Sequence, residues 1–169
     1  MKFIALVYTS AALLTLGGCT AIDSSGFSAG DPSSCDGVLV QVNYGILSDD
    51  TVNECVEFET GTALASEVLS FAGVETEGTD AYGDLVVCRV NSLPSEAEEI
   101  LVEGEQPYRE TCQDMPPAFA YWALWHKSGP EAPWDYATEG VGTLMVSPGE
   151  SLGLGFSSGI DVVTPDNEP

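Results

Sequence analysis

Basic residues are scarce in this sequence. Four Lys and Arg residues and one His stand against 27 Asp and Glu residues in a chain of 169, which gives a formal net charge of −23. A field of this sign repels phosphates, which argues against nucleic acid and anionic lipid surfaces as partners. Because the acidic residues are spread along the whole chain, they favour a solvated, self-repelling surface over an acidic pocket for cations.

The motifs of common catalytic and metal sites are also absent. The sequence contains no Gly-rich phosphate loop, no His-x-x-x-His pair and no Asp-x-Asp-x-Asp-Gly calcium loop. His126 is the single histidine, and the nearby Ser128 is not part of a Gly-x-Ser-x-Gly elbow. We therefore interpret His126 as an ordinary strand-end residue, and we predict no enzymatic activity, catalytic residue, metal site or cofactor.

The apolar run at the start of the chain is too short to be an ordinary membrane anchor. Residues 3–16 are apolar except for Thr and Ser; they follow Lys2 and precede Gly17 and Gly18. A transmembrane helix needs about 20 apolar residues, whereas a shorter run ending in small residues is typical of an export signal. The sequence predicts a signal peptide over residues 1–18.

The end of this signal, Leu16-Gly17-Gly18-Cys19, resembles the bacterial lipobox. The resemblance implies cleavage before Cys19 and attachment of a diacylglycerol to its thiol. An ordinary secretory signal followed by a structural cysteine is the alternative, although such signals favour an Ala-x-Ala-like site. We expect two or three acyl chains, such as palmitate, on Cys19, because one chain binds a membrane only marginally. The predicted location is the outer face of a bacterial cell membrane.

The cysteine count agrees with this prediction. Five cysteines are an odd number, and lipidation of Cys19 leaves Cys35, Cys55, Cys88 and Cys112 as an even set in an oxidising compartment. Four cysteines allow three pairings. We expect the two short loops, Cys35 to Cys55 and Cys88 to Cys112.

The composition divides the chain into four parts. After the signal, residues 19–34 are rich in Ser, Gly, Asp and Ala, with Ile22 and Phe27 as the larger apolar residues. This stretch is predicted to be a flexible tether, since it has little to bury. Residues 35–158 are predicted to form one domain, which is long enough for a core, and residues 159–169 a polar tail.

Hydrophobic patterning predicts an α+β fold: a small β-rich domain with one main helix packed on a mostly antiparallel sheet, and two disulfides. The helix is predicted over residues 63–72, with hydroxyl caps before it and Gly73 ending it. The predicted strands cover residues 38–44, 51–58, 84–90, 118–126, 134–136, 143–146 and 151–156.

Large aromatic residues are concentrated between positions 119 and 136, where all three tryptophans lie. In a strand, Tyr121 and Trp125 share one face and Trp122 lies on the other. Either both faces are buried in the core or one lines a ligand platform. We expect Trp125 to be core and Trp122 to lie on the platform. The candidate ligand-binding residues are Tyr121, Trp122, Trp125, Trp134 and Tyr136.

These segments, in this order, resemble the transcobalamin-type C-terminal domain, a β-rich module that also occurs in bacterial surface lipoproteins. The resemblance rests on the early strand, the helix ending in Ala72-Gly73, the strand containing Cys88, Pro116-Pro117, the aromatic strand, the Trp134-x-Tyr136 return and Ser147-Pro148-Gly149. The aromatic strand, Tyr121-Trp122-Ala123-Leu124-Trp125-His126, is the strongest part.

The resemblance implies an extracytoplasmic accessory to uptake that binds a small molecule, such as cobalamin or another corrinoid. In the vitamin carriers a helical domain holds the other side of the ligand. This chain has none, so enclosing a ligand would require a transporter or a helical partner protein. The alternative is a cell-surface interaction or scaffold module, in which the aromatic patch or a sheet edge docks another protein.

Overall fold

The structure is a computed structural model that describes residues 26–59 and 61–166. The predicted signal peptide, Cys19 and the first part of the predicted tether lie outside the described residues. The strands are β1 Ser28–Gly30, β2 Val38–Asn43, β3 Thr51–Glu57, β4 Ala63–Leu64, β5 Thr76–Thr79, β6 Gly83–Val90, β7 Ala120–Lys127, β8 Asp135–Tyr136, β9 Met145–Val146 and β10 Ser151–Ser158, and the helix α1 is Ala65–Phe71.

Six of the strands form the main sheet, in the order β1-β3-β2-β10-β7-β8. Neighbouring strands are antiparallel except β2 and β10, which are parallel. Two small sheets, β4-β9 and β5-β6, complete the fold. The α+β prediction of a β-rich domain with one helix on a sheet is confirmed.

One side of the main sheet, which we call the core face, carries the large apolar side chains. Val40 and Val42 of β2 alternate inward, as predicted, and Leu152, Leu154 and Phe156 of β10 do the same; all are buried. The helix packs on this face, and its Val68 and Leu69 belong to the same hydrophobic cluster. Parallel pairing of β2 with β10 places two apolar rows side by side, which makes these strands the centre of the core.

The helix begins later than predicted and is capped differently. Ala63 and Leu64 pair with β9, so the helix starts at Ala65. Its first amides donate to backbone carbonyls of a later loop, Ala65 N to Leu144 O and Ser66 N to Val141 O, both at 2.9 Å. These bonds satisfy groups that hydroxyl caps were predicted to satisfy.

The end of the helix is as predicted. Gly73 has a φ of +75°, the left-handed conformation that glycine adopts without strain. The amide of Gly73 donates to Ser70 O at 3.1 Å, and that of Val74 donates to Leu69 O at 2.9 Å. This pair of bonds is the Schellman motif, which satisfies the last carbonyls of the helix.

The tether prediction is wrong for residues 26–34. Phe27 is buried, and its ring meets the ring of Phe58 edge-on at 5.5 Å. The next three residues form β1, which pairs with β3 at the sheet edge. The Phe27 anchor and backbone pairing, together with an Asp31-capped turn at residues 32–34 and the disulfide at Cys35, order this polar stretch.

The polar-tail prediction is wrong for residues 161–166, which we call the C-terminal strap. The strap crosses the side of the sheet opposite the core face, here called the strap face. Trp125 Nε1 donates to Val163 O and Asn43 Nδ2 donates to Thr164 O, both at 3.1 Å. Gly153 and Gly155 of β10 make room for it, because a Cβ at either position would collide with Pro165 or with the carbonyl of Val163.

Both predicted disulfides, Cys35 to Cys55 and Cys88 to Cys112, are present. The second ties β6 to the long irregular excursion between β6 and β7. Among residues 26–59 and 61–166, no helix has the length and apolar character that crossing a membrane requires.

Candidate functional site

The predicted binding residues lie on β7, on β8 and in the turn between them. The return strand β8 pairs with the second half of β7, which places Tyr136 directly opposite Trp125. Tyr121 lies on the same face of β7 as Trp125, because the two positions are four residues apart in a strand. The fold thus brings together three of the five predicted residues on the strap face.

Trp122 is part of the core, and the expectation that it forms an exposed platform is wrong. Its side chain is 6% exposed and lies on the core face beside Phe156, its partner across the strands. The ring meets those of Tyr44 and Phe156 edge-on, with centroids 5.5 and 5.4 Å away. Its indole nitrogen donates to Leu93 O at 3.0 Å, so both the apolar ring and its polar group are satisfied internally.

Trp125 and Tyr136 form a stacked pair on the strap face. Their ring centroids are 4.1 Å apart and the planes differ by 21°. Trp125 is 5% exposed, whereas Tyr136 is 50% exposed. The hydrogen bond to Val163 O orients the Trp125 indole, which packs flat behind the exposed Tyr136 ring.

The hydroxyls of Tyr121 and Tyr136 lie 3.2 Å apart and share a hydrogen bond. Burial, and then this hydrogen bond, raise the pKa of Tyr136 to about 12. A tyrosine phenol is neutral at physiological pH even at its usual pKa, and the raised pKa of Tyr136 widens that margin. Since one hydroxyl donates to the other, the pair keeps one O–H donor and free lone pairs for a ligand.

A pocket of about 270 Å³ adjoins this pair, between β6, the first half of β7 and the loop after β8. We call it the tyrosine pocket, and it is lined by Leu85, Met115, Tyr121, Tyr136, Glu139 and, through a small accessible part of its buried side chain, the predicted Trp122, among others. Leu85 and Met115 are exposed at its mouth. The pocket combines apolar walls with the phenol groups of Tyr121 and Tyr136, and the Tyr136 ring is also available for stacking. Its charged lining residue is Glu139.

Backbone contact between the loop and β6 shapes this pocket. Gly140 lies against the backbone of Asp84 and Leu85, so closely that a Cβ at position 140 would collide with both. Ala137 N donates to Leu124 O at 2.9 Å, which fixes the start of the loop along β7. Sequence reasoning missed Leu85, Met115 and Glu139, since they come from separate segments with no common pattern.

Trp134 does not line the tyrosine pocket. Its ring lies 5.9 Å from Lys127 Nζ, a cation–π arrangement at the turn between β7 and β8. The neighbouring His126 has its Nε2 3.2 Å from Glu150 Oε2, which also accepts the Ser147 amide at 2.9 Å. These contacts fasten the strand ends and place no ligand-binding surface beside Tyr136.

Buried charge in the described part of the chain is concentrated around Arg89. Its guanidinium donates to both carboxylate oxygens of Glu77 and to the carbonyls of Pro94 and Glu110, at 2.7 to 3.0 Å. Glu77 also lies near the sulfurs of Cys88 and Cys112, but those sulfurs form a disulfide and supply no thiolate. The cluster therefore anchors the excursion between β6 and β7.

The same excursion contains a buried Glu110, whose carboxylate accepts the hydroxyl of Tyr108 at 2.8 Å and the amide of Cys112 at 2.6 Å. Burial, and then the bond to Glu110, raise the pKa of Tyr108 well above its usual value. Both causes favour the neutral phenol, which donates its proton to the Glu110 carboxylate.

Comparison with protein-family models, with curated proteins and with solved structures found no significant match to this chain.

Proposed function

We propose that this protein is a lipid-anchored extracytoplasmic lipoprotein whose tyrosine pocket binds a flat, partly apolar small molecule as an accessory to uptake. The observation that carries this proposal is the half-exposed Tyr136 ring, held by Trp125 behind it and by the Tyr121 hydroxyl beside it. A ring fixed in this way loses little conformational freedom when a ligand stacks on it, so more of the contact energy contributes to affinity.

The chemistry of the pocket narrows the ligand class. An extended conjugated ring suits stacking on Tyr136 and apolar contact with Leu85 and Met115. The phenols hydrogen-bond a carbonyl, amide or hydroxyl on the ligand. Glu139 disfavours an anionic group at the pocket, so the bound part of the ligand is neutral or cationic.

A corrinoid such as cobalamin is the candidate that the resemblance to the transcobalamin-type domain suggests. The volume of about 270 Å³ lies just below the range of pockets that enclose drug-sized molecules. A larger ring would therefore rest on the tyrosine pocket with one side uncovered. A helical partner protein or a membrane transporter would supply the other side.

Anchoring through Cys19 is supported by the Leu16-Gly17-Gly18-Cys19 sequence and by cysteine pairing. The two disulfides use Cys35, Cys55, Cys88 and Cys112, which leaves Cys19 as the one cysteine for lipid. The acidic composition fits a surface that does not adsorb to anionic headgroups, so contact with the membrane would be made by the lipid.

The test is native mass spectrometry and tryptophan-fluorescence titration of the full chain with a panel of corrinoids and flat vitamins. A ligand that binds the wild type should bind Tyr136→Ala about ten-fold more weakly, because an aromatic pair contributes up to about 1.5 kcal/mol. Tyr121→Phe should weaken binding less, by roughly the free energy of one hydrogen bond.

Ile46→Ala, an exposed apolar residue outside the tyrosine pocket, is the matched control and should bind normally. Thermal melts of all variants show whether each remains folded. Binding that is unchanged in Tyr136→Ala, or no binding by any member of the panel, would count against the proposal.

A further inference from the structure

A second pocket, of about 480 Å³, is built by three turns at one end of the main sheet. We call it the aliphatic pocket and define it by Ile46, Leu101, Ile160, Glu103, Glu105 and Asp161. The three aliphatic side chains come from the turn after β2, the excursion after β6 and the turn after β10. Their exposed fractions are 59%, 67% and 98%.

Backbone hydrogen bonds hold all three turns, and the turn after β2 is closed by Leu47 N donating to Tyr44 O at 3.0 Å. The turn after β10 is closed by a β-bridge between Ser158 and Asp161. It is tied to the start of β7, because Gly159 N donates to Phe119 O at 2.8 Å. Next to Leu101, Ile100 and Tyr108 exchange two bonds of 2.8 and 3.1 Å. The aliphatic groups are thus presented by an ordered backbone.

This exposure indicates an occupant larger than a small molecule. Small-molecule pockets bury most of the ligand among their own walls, but here the most apolar groups stand on the rim. A small ligand inside the pocket would leave Ile160 in water. Contiguous exposed apolar groups rimmed by polar residues are typical of protein-binding surfaces.

The charges on the rim restrict the partner further. Glu103, Glu105 and Asp161 line the pocket, and none of its lining residues is basic. In the described part of the chain, Arg89 and Arg109 pair with Glu77 and Glu99, and Lys127 lies over Trp134. These carboxylates would repel an anionic membrane surface and attract Lys or Arg.

We propose that the aliphatic pocket docks a segment of another protein in which apolar side chains are flanked by Lys or Arg. This surface differs from those expected from the sequence, which were the aromatic patch and a sheet edge. At the edges of the main sheet, β1 and β8 have only three and two residues, and short edge strands are one way in which proteins discourage strand addition. The proposal does not rest on ligand binding at the tyrosine pocket.

The probe is a short fluorescein-labelled peptide of alternating lysine and leucine, titrated with the purified full chain and followed by fluorescence anisotropy. The double variant Leu101→Ala/Ile160→Ala should weaken binding about ten-fold or more, as truncation of central apolar contacts does at protein interfaces. Glu103→Gln/Glu105→Gln should weaken it several-fold at low salt and have less effect at high salt.

Leu85→Ala is the matched control, because Leu85 is about as exposed as Leu101 but lines the tyrosine pocket. This variant and Tyr136→Ala should bind the peptide normally, which separates the two pockets. A lysine-serine peptide and a glutamate-leucine peptide test the need for apolar groups and for positive charge, and both should bind much more weakly.

Equal binding of the lysine-serine peptide, or unchanged binding by Leu101→Ala/Ile160→Ala, would overturn the proposal. So would full displacement of the peptide by hexylammonium at comparable concentration, since the pocket would then be a small-molecule site. Sedimentation velocity of the wild type and of Ile160→Ala is the last measurement. If the wild type self-associates and Ile160→Ala does not, the occupant is a second copy of the chain and the proposed partner is rejected.

Discussion

The two faces of the main sheet are built from the same strands but are covered in different ways. On the core face, Leu152, Leu154 and Phe156 of β10 pack into a continuous hydrophobic cluster. On the strap face, the alternating Gly153 and Gly155 of that strand leave a channel filled by the C-terminal strap. The core face is therefore closed by side chains, whereas part of the strap face is closed by the backbone of Val163 together with the ring of Pro165.

The two β7 tryptophans illustrate the difference. Trp122 and Trp125 are almost equally buried, yet Trp122 lies among core rings while Trp125 is covered by Tyr136 and a strap carbonyl. The two tryptophans are thus equally buried but differently covered, because Trp125 lies outside the main hydrophobic cluster and is closed in part by the C-terminal strap.

The largest expected effect is that of Trp122→Ala. Removing a buried tryptophan typically costs about 3 to 5 kcal/mol, a large share of the roughly 5 to 15 kcal/mol that stabilises a domain. The free energy of unfolding from urea titration should fall by that amount. Trp125→Ala should cost less, since the strap can collapse toward the gap. If the free energy of unfolding falls equally in the two variants, the two faces of the sheet contribute equally to stability and the proposed difference between them is wrong.

A smaller effect is expected from Gly155→Ala, which places a methyl group against the Val163 carbonyl. Overpacking costs about 1 to 3 kcal/mol, and we expect the strap to detach. Limited proteolysis should then cleave the C-terminal residues faster than in the wild type. Gly129→Ala is the control, since a Cβ there meets no atom within 4 Å. Unchanged cleavage in Gly155→Ala would show that the strap accommodates the methyl group.

The sequence was sufficient to predict the parts of the fold that depend on local patterns. Alternation predicted β2 with its inward Val40 and Val42, the short-loop pairing predicted both disulfides, and Gly73 marked the helix end. In each case the signal lies within a few neighbouring residues or one short loop.

The parts that were mispredicted depend on contacts between distant segments. Period-two alternation assigns Trp122 and Trp125 to opposite faces but does not say which face is the core. That choice is made by pairing with β10, which aligns Trp122 with Phe156 and Trp125 with Gly153. The strap accepts hydrogen bonds through its backbone carbonyls. Because every residue has such a carbonyl, the strap's own sequence carries no pattern that predicts the contact. Alternating glycines in β10 were the one available signal that something lies against that face.

The smallest expected effect is that of Trp125→Phe. Phenylalanine retains an aromatic ring opposite Tyr136 but cannot donate to Val163 O, which now accepts the indole at 3.1 Å. Loss of one such bond costs about 0.5 to 1.5 kcal/mol, and the smaller ring leaves a gap that adds to this cost but is smaller than the one left by Trp125→Ala, so the unfolding transition should shift less than in that variant.

The informative measurement for Trp125→Phe is the local one. Amide hydrogen exchange should accelerate in the strap at Val163, whose own amide donates to Ser157 Oγ at 2.9 Å, while the amides of β2 and β10 keep their protection. Local release of this kind would show that the strap face opens independently of the core face. If exchange accelerates equally in the strap and in β10, the two faces unfold as one cooperative unit, and the division between a rigid core and a separately covered strap face is wrong.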